Sequence, residues 1–127
     1  TPFEHRSYGD ELARCQRYFY AHISAPTGNE ASICTSANFS GLKSYGTINF
    51  PVTMRSAPSL DAYSASGAWS IYHNNTSSTF DTLGQVNVTP RTTLVFNNDN
   101  VGVTQGHAAN MQAKDTTNCY VHFDAEL

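Results

Sequence analysis

The sequence predicts an all-β domain, built as an antiparallel sandwich or barrel. Short apolar or alternating segments of about five to eight residues recur along it, separated by clusters of Gly, Pro, Asn and Ser. Long helical periodicity is absent. Only 13% of the 127 residues are charged, about half the usual share. Ser, Thr and Asn fill the gap, and a polar, uncharged, aromatic-bearing chain suits extended surfaces that face water or sugars.

The strand candidates are RYFYAHI (17–23), ASICTSA (31–37), GTINFPVTM (46–54), SLDAYSA (59–65), AWSIYH (68–73), LGQVNVTP (83–90), TTLVFNN (92–98) and NCYVHFDAEL (118–127). Pro51 lacks the ladder donor, so 46–54 is an edge strand, a bulged strand or two short pieces. APS (57–59), HNNTSS (73–78), TPR (89–91) and NNDN (97–100) read as turns. The segment 104–118 has weak helical character, with a short helix near 107–114, or is a long loop. Neither an internal repeat nor a linker is visible.

The stretch YGDELARCQRYFYAH (8–22) combines two patterns. Ser7 stands three residues before Asp10, close to a capping box, and Asp10 and Glu11 fall where a helix N-terminus favours negative charge. Leu12 and Cys15 share one face of the helical turns over 8–15, Asp10 and Arg14 the other. From Arg17 the period becomes two, with Arg17, Phe19 and Ala21 alternating against Tyr18, Tyr20 and His22. The expectation is a short helix feeding a strand and plugging one end of the sandwich, Leu12 and Cys15 pointing inward.

Bulk properties exclude several functions. Net charge is −3, and Arg6, Arg14, Arg17, Lys43, Arg55, Arg91 and Lys114 are scattered, which argues against a phosphate-backbone binder. No apolar run approaches the ~20 residues of a membrane span. The chain opens TPFEHRS, without a Met or a signal-peptide pattern, and reads as a mature or excised fragment or the end of a longer protein. Cys15, Cys34 and Cys119 are odd in number and fit no zinc spacing. Buried free thiols are the expectation, one disulfide with a leftover thiol the alternative.

No motif for hydrolysis, nucleotide binding or metal catalysis occurs, so no catalytic residue, metal ligand or cofactor is expected. A glycosidase needs two carboxylates across a cleft, and no such pair is marked. His5, His22, His73, His107 and His122 stand at no ligand spacing, although a cross-strand pair of His22 with His122 is conceivable. Cys119 with His122 lacks an orienting third group. The sequons at Asn38, Asn74, Asn75 and Asn87 would mark glycosylated loops in a secreted eukaryotic protein. Trp69, the only tryptophan, is either core or part of a sugar platform beside the 73–78 and 97–100 loops. On the second reading Trp69, Tyr72, His73, Asn75, Asn98 and Asp99 form a shallow ligand site of aromatic faces and polar groups.

Three stretches say more. TPFEHRSYGDELARCQRYF (1–19), FPVTMRSAP (50–58) and the terminal FDAEL (123–127) together resemble the C-terminal ends of bacteriophage virion proteins, of the tail-fibre, head-fibre and other minor structural kinds. The resemblance spans the chain, although 59–122 matches only in texture. It implies a jelly-roll-like β-sandwich over 8–127, with 1–7 as the junction from a preceding module. It also implies a homotrimer by analogy, contacts with other virion proteins and a place on the virion. It carries no catalytic residues, and fold by analogy does not fix function. Host-surface glycan attachment is one expectation. A structural trimerisation or capping module is the other, and a carbohydrate-binding module of a secreted enzyme is a weaker third. Changes in the 73–78 and 97–100 loops should abolish attachment on the first reading and leave it intact on the second.

Overall fold

The computed structural model describes residues 7–126. All but Ser7 of the expected junction lies outside the described residues. Among the described residues one helix, α1 (Tyr8–Gln16), precedes ten strands: β1 (Phe19–Ile23), β2 (Ser32–Asn38), β3 (Ser44–Asn49), β4 (Ser59–Ala62), β5 (Trp69–His73), β6 (Thr76–Phe80), β7 (Leu83–Val86), β8 (Thr92–Asn97), β9 (Ala108–Ala113) and β10 (Val121–Asp124).

Every strand pairing is antiparallel. A three-stranded sheet runs β1-β10-β4 and a seven-stranded sheet β6-β5-β9-β2-β3-β8-β7. The two edges of the larger sheet, β6 and β7, are joined by only Asp81 and Thr82, so that sheet must curl to bring them together. β7 comes to lie alongside β4, tied by Gln85 Nε2 to Pro58 O at 3.1 Å and by the Ser64 and Thr82 hydroxyls at 3.0 Å. With β3 and β8 set aside, the layers read β1-β10-β4-β7 and β2-β9-β5-β6. That is the strand order of a jelly roll, in which two Greek keys face each other across one core. The inserted pair β3 and β8 bridges β2 to β7 on one side.

Alternation builds the interior. In β9, Ala109, Met111 and Ala113 are buried while Asn110 and Gln112 are not. The core joins Trp69, Ile71, Phe80, Val95, Met111, Val121 and Phe123, and Phe50 meets Phe123 edge-on at 5.0 Å. Gly46 is required by close approach: a Cβ there would lie 2.4 Å from Cys34 Sγ and 2.9 Å from Thr35 O.

Several expectations are corrected. HNNTSS is not a loop: Asn74 and Asn75 alone turn, both at positive φ, and Thr76–Ser78 belong to β6. His73 pairs with Thr76, so the two asparagines form the two-residue hairpin turn that matches strand twist. The 104–118 region is neither helix nor long loop, because β9 runs through it in the middle of the larger sheet. The 46–54 run ends as a strand at Asn49, before Pro51. α1 forms where expected, with Ser7 Oγ accepting from Asp10 N at 3.2 Å, but it plugs nothing. None of its residues is buried, and Leu12 is 42% exposed.

Candidate functional site

Trp69 is in the core. Its ring is 0% exposed and its Nε1 donates to Tyr63 O at 2.8 Å, so no sugar ring can reach it. The other expected site residues do not converge. Tyr72 is half-exposed, and its hydroxyl donates to Asn75 Oδ1 at 2.8 Å, at the turn end of the β5–β6 hairpin. Asn98 and Asp99 lie at the far end of β6. There Asn98 N donates to Thr82 O and the Asp99 carboxylate accepts from Asp81 N and Thr82 N. The length of β6, roughly 16 Å, separates the two groups. Asp99 therefore fastens the β6–β7 corner.

His73 is 8% exposed, and neither ring nitrogen has a hydrogen-bond partner. Its ring lies edge-on to His107 at 5.9 Å. His22 does not meet His122. Its Nε2 lies 2.7 Å from Ile33 O and its Nδ1 3.0 Å from the Tyr20 hydroxyl, and Ala21 takes the register position opposite His122. All three cysteines are free, but Cys15 is exposed. Burial pushes the thiols of Cys34 and Cys119 up to about 11. Of the sequons, Asn38 is buried with its side chain bonded to Thr104 O, so the folded chain cannot present it for glycosylation. Among the described residues no group of three potential metal ligands gathers.

Three surface features take the place of the expected loop site. The first is a row of rings on the outer face of the three-stranded sheet. Phe19 meets His122 at 5.1 Å, His122 meets Tyr120 at 4.9 Å, and Tyr120 meets Tyr63 at 6.2 Å. Phe19 is exposed and the other three are half-buried. Asp61 stands opposite His122 in the β10–β4 ladder and accepts from the Tyr120 hydroxyl at 3.4 Å. Strand alternation aims Phe19 and His122 outward while Tyr20 and Phe123 turn to the core.

The second is an apolar face over β3, β8 and β7. Phe39, 73% exposed, stands edge-on to Tyr45 at 5.5 Å, and Tyr45 lies 5.3 Å from Phe96. Lys43 Nζ caps the Phe96 ring at 5.7 Å and donates to the carbonyls of Asn97 and Asn98. Phe39, Tyr45, Val86, Asn87 and Leu94 line a shallow hollow of about 250 Å³. Phe96 lies flat because Gly84 is beneath it, where a Cβ would come within 2.6 Å of the ring.

The third is a hollow of about 430 Å³ at the end of α1, lined among the described residues by Arg14, Arg17 and Tyr18. Arg55 lies over the Tyr18 ring at 5.8 Å. Backbone bonds hold the place: Arg55 N donates to Arg17 O and Ala125 N to Tyr18 O, each at 2.7 Å, and Ser56 Oγ donates to Ala125 O at 3.2 Å. The described parts of the stretches 1–19, 50–58 and 123–127 thus meet here. Three arginines that look scattered in sequence are neighbours in space.

No protein-family model, curated protein or solved structure matches the chain.

Proposed function

We propose that the chain is a jelly-roll domain of a bacteriophage virion fibre or spike and that it attaches to saccharide on the host surface, without catalysis. The observation that carries attachment is the aromatic row Phe19, His122, Tyr120 and Tyr63 with Asp61 beside it. Sugars are held by partly exposed ring faces flanked by a few polar acceptors, in sites that are open rather than deep. The fibre assignment rests on the resemblance of three separated stretches. It is supported by their packing into one unit, Phe50 on Phe123 and Arg55 on Arg17.

A second reading has its own observation. The face of Phe39, Tyr45, Leu94 and Val86 is more apolar than the ring row and suits burial against another copy of the chain, as a trimerisation or capping module would require. One experiment separates the two. Tyr120→Ser combined with Phe19→Ser should abolish binding to host cells and to a glycan array while solution mass stays unchanged. Retained binding by this variant refutes attachment through the row and leaves the structural module.

A further inference from the structure

We propose that the hollow bounded by Arg14, Arg17 and Tyr18, with Arg55 against the tyrosine ring, binds an anionic group carried on a sugar, a carboxylate or a phosphate. Three arginines come from two distant parts of the chain: Arg14 and Arg17 line the hollow, and Arg55 lies over the Tyr18 ring and donates its N–H to Arg17 O. Among the described residues none of them forms an ion pair, whereas Lys114 finds Glu30 at 2.7 Å. Arg14 alone has a simpler use, since a cation in the last turn complements the helix dipole. That account does not reach Arg17, which caps the helix, or Arg55, which comes from another segment altogether.

Positive charges lining one hollow are favoured by a counter-charge placed inside it. Guanidinium is the cation suited to that task, because its fork of donors matches the two oxygens of a carboxylate or phosphate. The hollow's volume fits a small ligand group. Tyr18 adds a half-exposed ring, so the place combines charge recognition with an apolar surface. Arg55 lies over that ring at 5.8 Å and adds a third positive charge beside the tyrosine. The number of charges also limits the ligand. Three arginines on a chain of net charge −3 recognise one acidic group, not the extended phosphate array of a nucleic acid. Tyr18 directly precedes Phe19 in the chain, so the hollow and the aromatic row both lie at the start of β1. A saccharide lying on the row can place an acidic substituent there.

The inference goes beyond attachment through the row and is read on different atoms. The full chain is titrated with glucuronate, inorganic phosphate and glucose while the arginine Nε–H signals and the Tyr63, Tyr120 and His122 ring signals are followed by NMR. The expected result is saturable movement of the Arg14, Arg17 and Arg55 signals with an anion and none with glucose. Affinity should fall several-fold between about 20 and 200 mM salt, as charges at an open site are screened. Stronger binding of glucuronate assigns a carboxylated sugar, and stronger binding of phosphate assigns a phosphorylated one. Arg14→Gln with Arg17→Gln should weaken the anion at least about tenfold, and the lysine pair should weaken it less, since it keeps charge but loses the fork. Both positions are exposed, so the strand spectrum of either variant should match the parent. No saturable shift with either anion, or equal affinity in the glutamine variant, overturns the proposal. Movement of the ring signals alone, with both anions as well as with glucose, supports the row and overturns the hollow.

Discussion

At the scale of single residues, burial decides which side chains serve the core and which remain for recognition. Trp69 is enclosed and hydrogen-bonded to Tyr63 O. Trp69→Ala should cost about 3–5 kcal/mol, the range for deleting a buried aromatic. As the only tryptophan, it should fluoresce at short wavelength and resist acrylamide quenching, with or without added saccharide. Quenching by a bound sugar would contradict this placement. The thiols give a pH signature. Burial raises Cys34 and Cys119 from 9.0 to about 11, so between those values the folded chain holds protons that the unfolded chain releases. Their contribution is fully present below pH 9 and is lost as pH rises through about 11. Tyr20, also raised by burial from 10.0, acts with the same sign higher up. Urea midpoints should fall from pH 8 to pH 10, and Cys34→Ala with Cys119→Ala should fall less. An equal drop in both proteins would remove the thiols from the account.

At the scale of elements, small residues place large ones. Gly84 lets the Phe96 ring lie on β7, and Phe96 in turn supports Tyr45 and receives Lys43. Gly84→Ala should tilt that ring, open the hollow beside Phe39 and destabilise the fold by about 1–3 kcal/mol, as overpacking does; a urea titration measures it. The elements also show what the sequence made legible. Alternation located eight of the strands, and Ser7 located the helix. β9 was missed because Ala, Met and Gln favour helices, although Ala109, Met111 and Ala113 already carried period two. β6 was missed because TSSTF presents no apolar face except Phe80; its pairing with β5 and the Asn74–Asn75 turn make it a strand. The inward face expected of α1 failed for another reason: Leu12 and Cys15 share a side of the helix, but nothing in their spacing requires that side to meet the sandwich. The site was less legible. Phe19 and His122 meet because β1 pairs with β10 across about a hundred residues, and Arg55 reaches Tyr18 through a similar long-range contact. Local pattern carries alternation; it does not carry sheet order.

At the scale of the whole molecule, the question is why one domain shows two aromatic surfaces of different character. The outer face of the three-stranded sheet carries His122, Asp61 and the Tyr120 hydroxyl among its rings. The face over β3 and β8 carries Phe39, Leu94 and Val86, and the nearby cation Lys43 is engaged with backbone carbonyls and the Phe96 ring. Polar groups among rings suit a ligand that keeps its own water, and an apolar face suits a surface that loses water altogether. The proposed function would divide the labour between them: self-association through the Phe39 face, recognition through the other. Self-association then multiplies recognition, because linked weak sites bind a many-sited surface about 10² to 10⁴ times more tightly than one site does. Phe39→Ser with Val86→Ser should therefore reduce the assembled particle to the 13.9 kDa chain in light scattering. Adhesion to cells should fall by a factor of that order, while affinity for a soluble monovalent saccharide stays the same. A parent protein that already runs at the single-chain mass refutes self-association through this face. A variant that loses affinity for the soluble saccharide as well would place recognition on the Phe39 face and overturn the division.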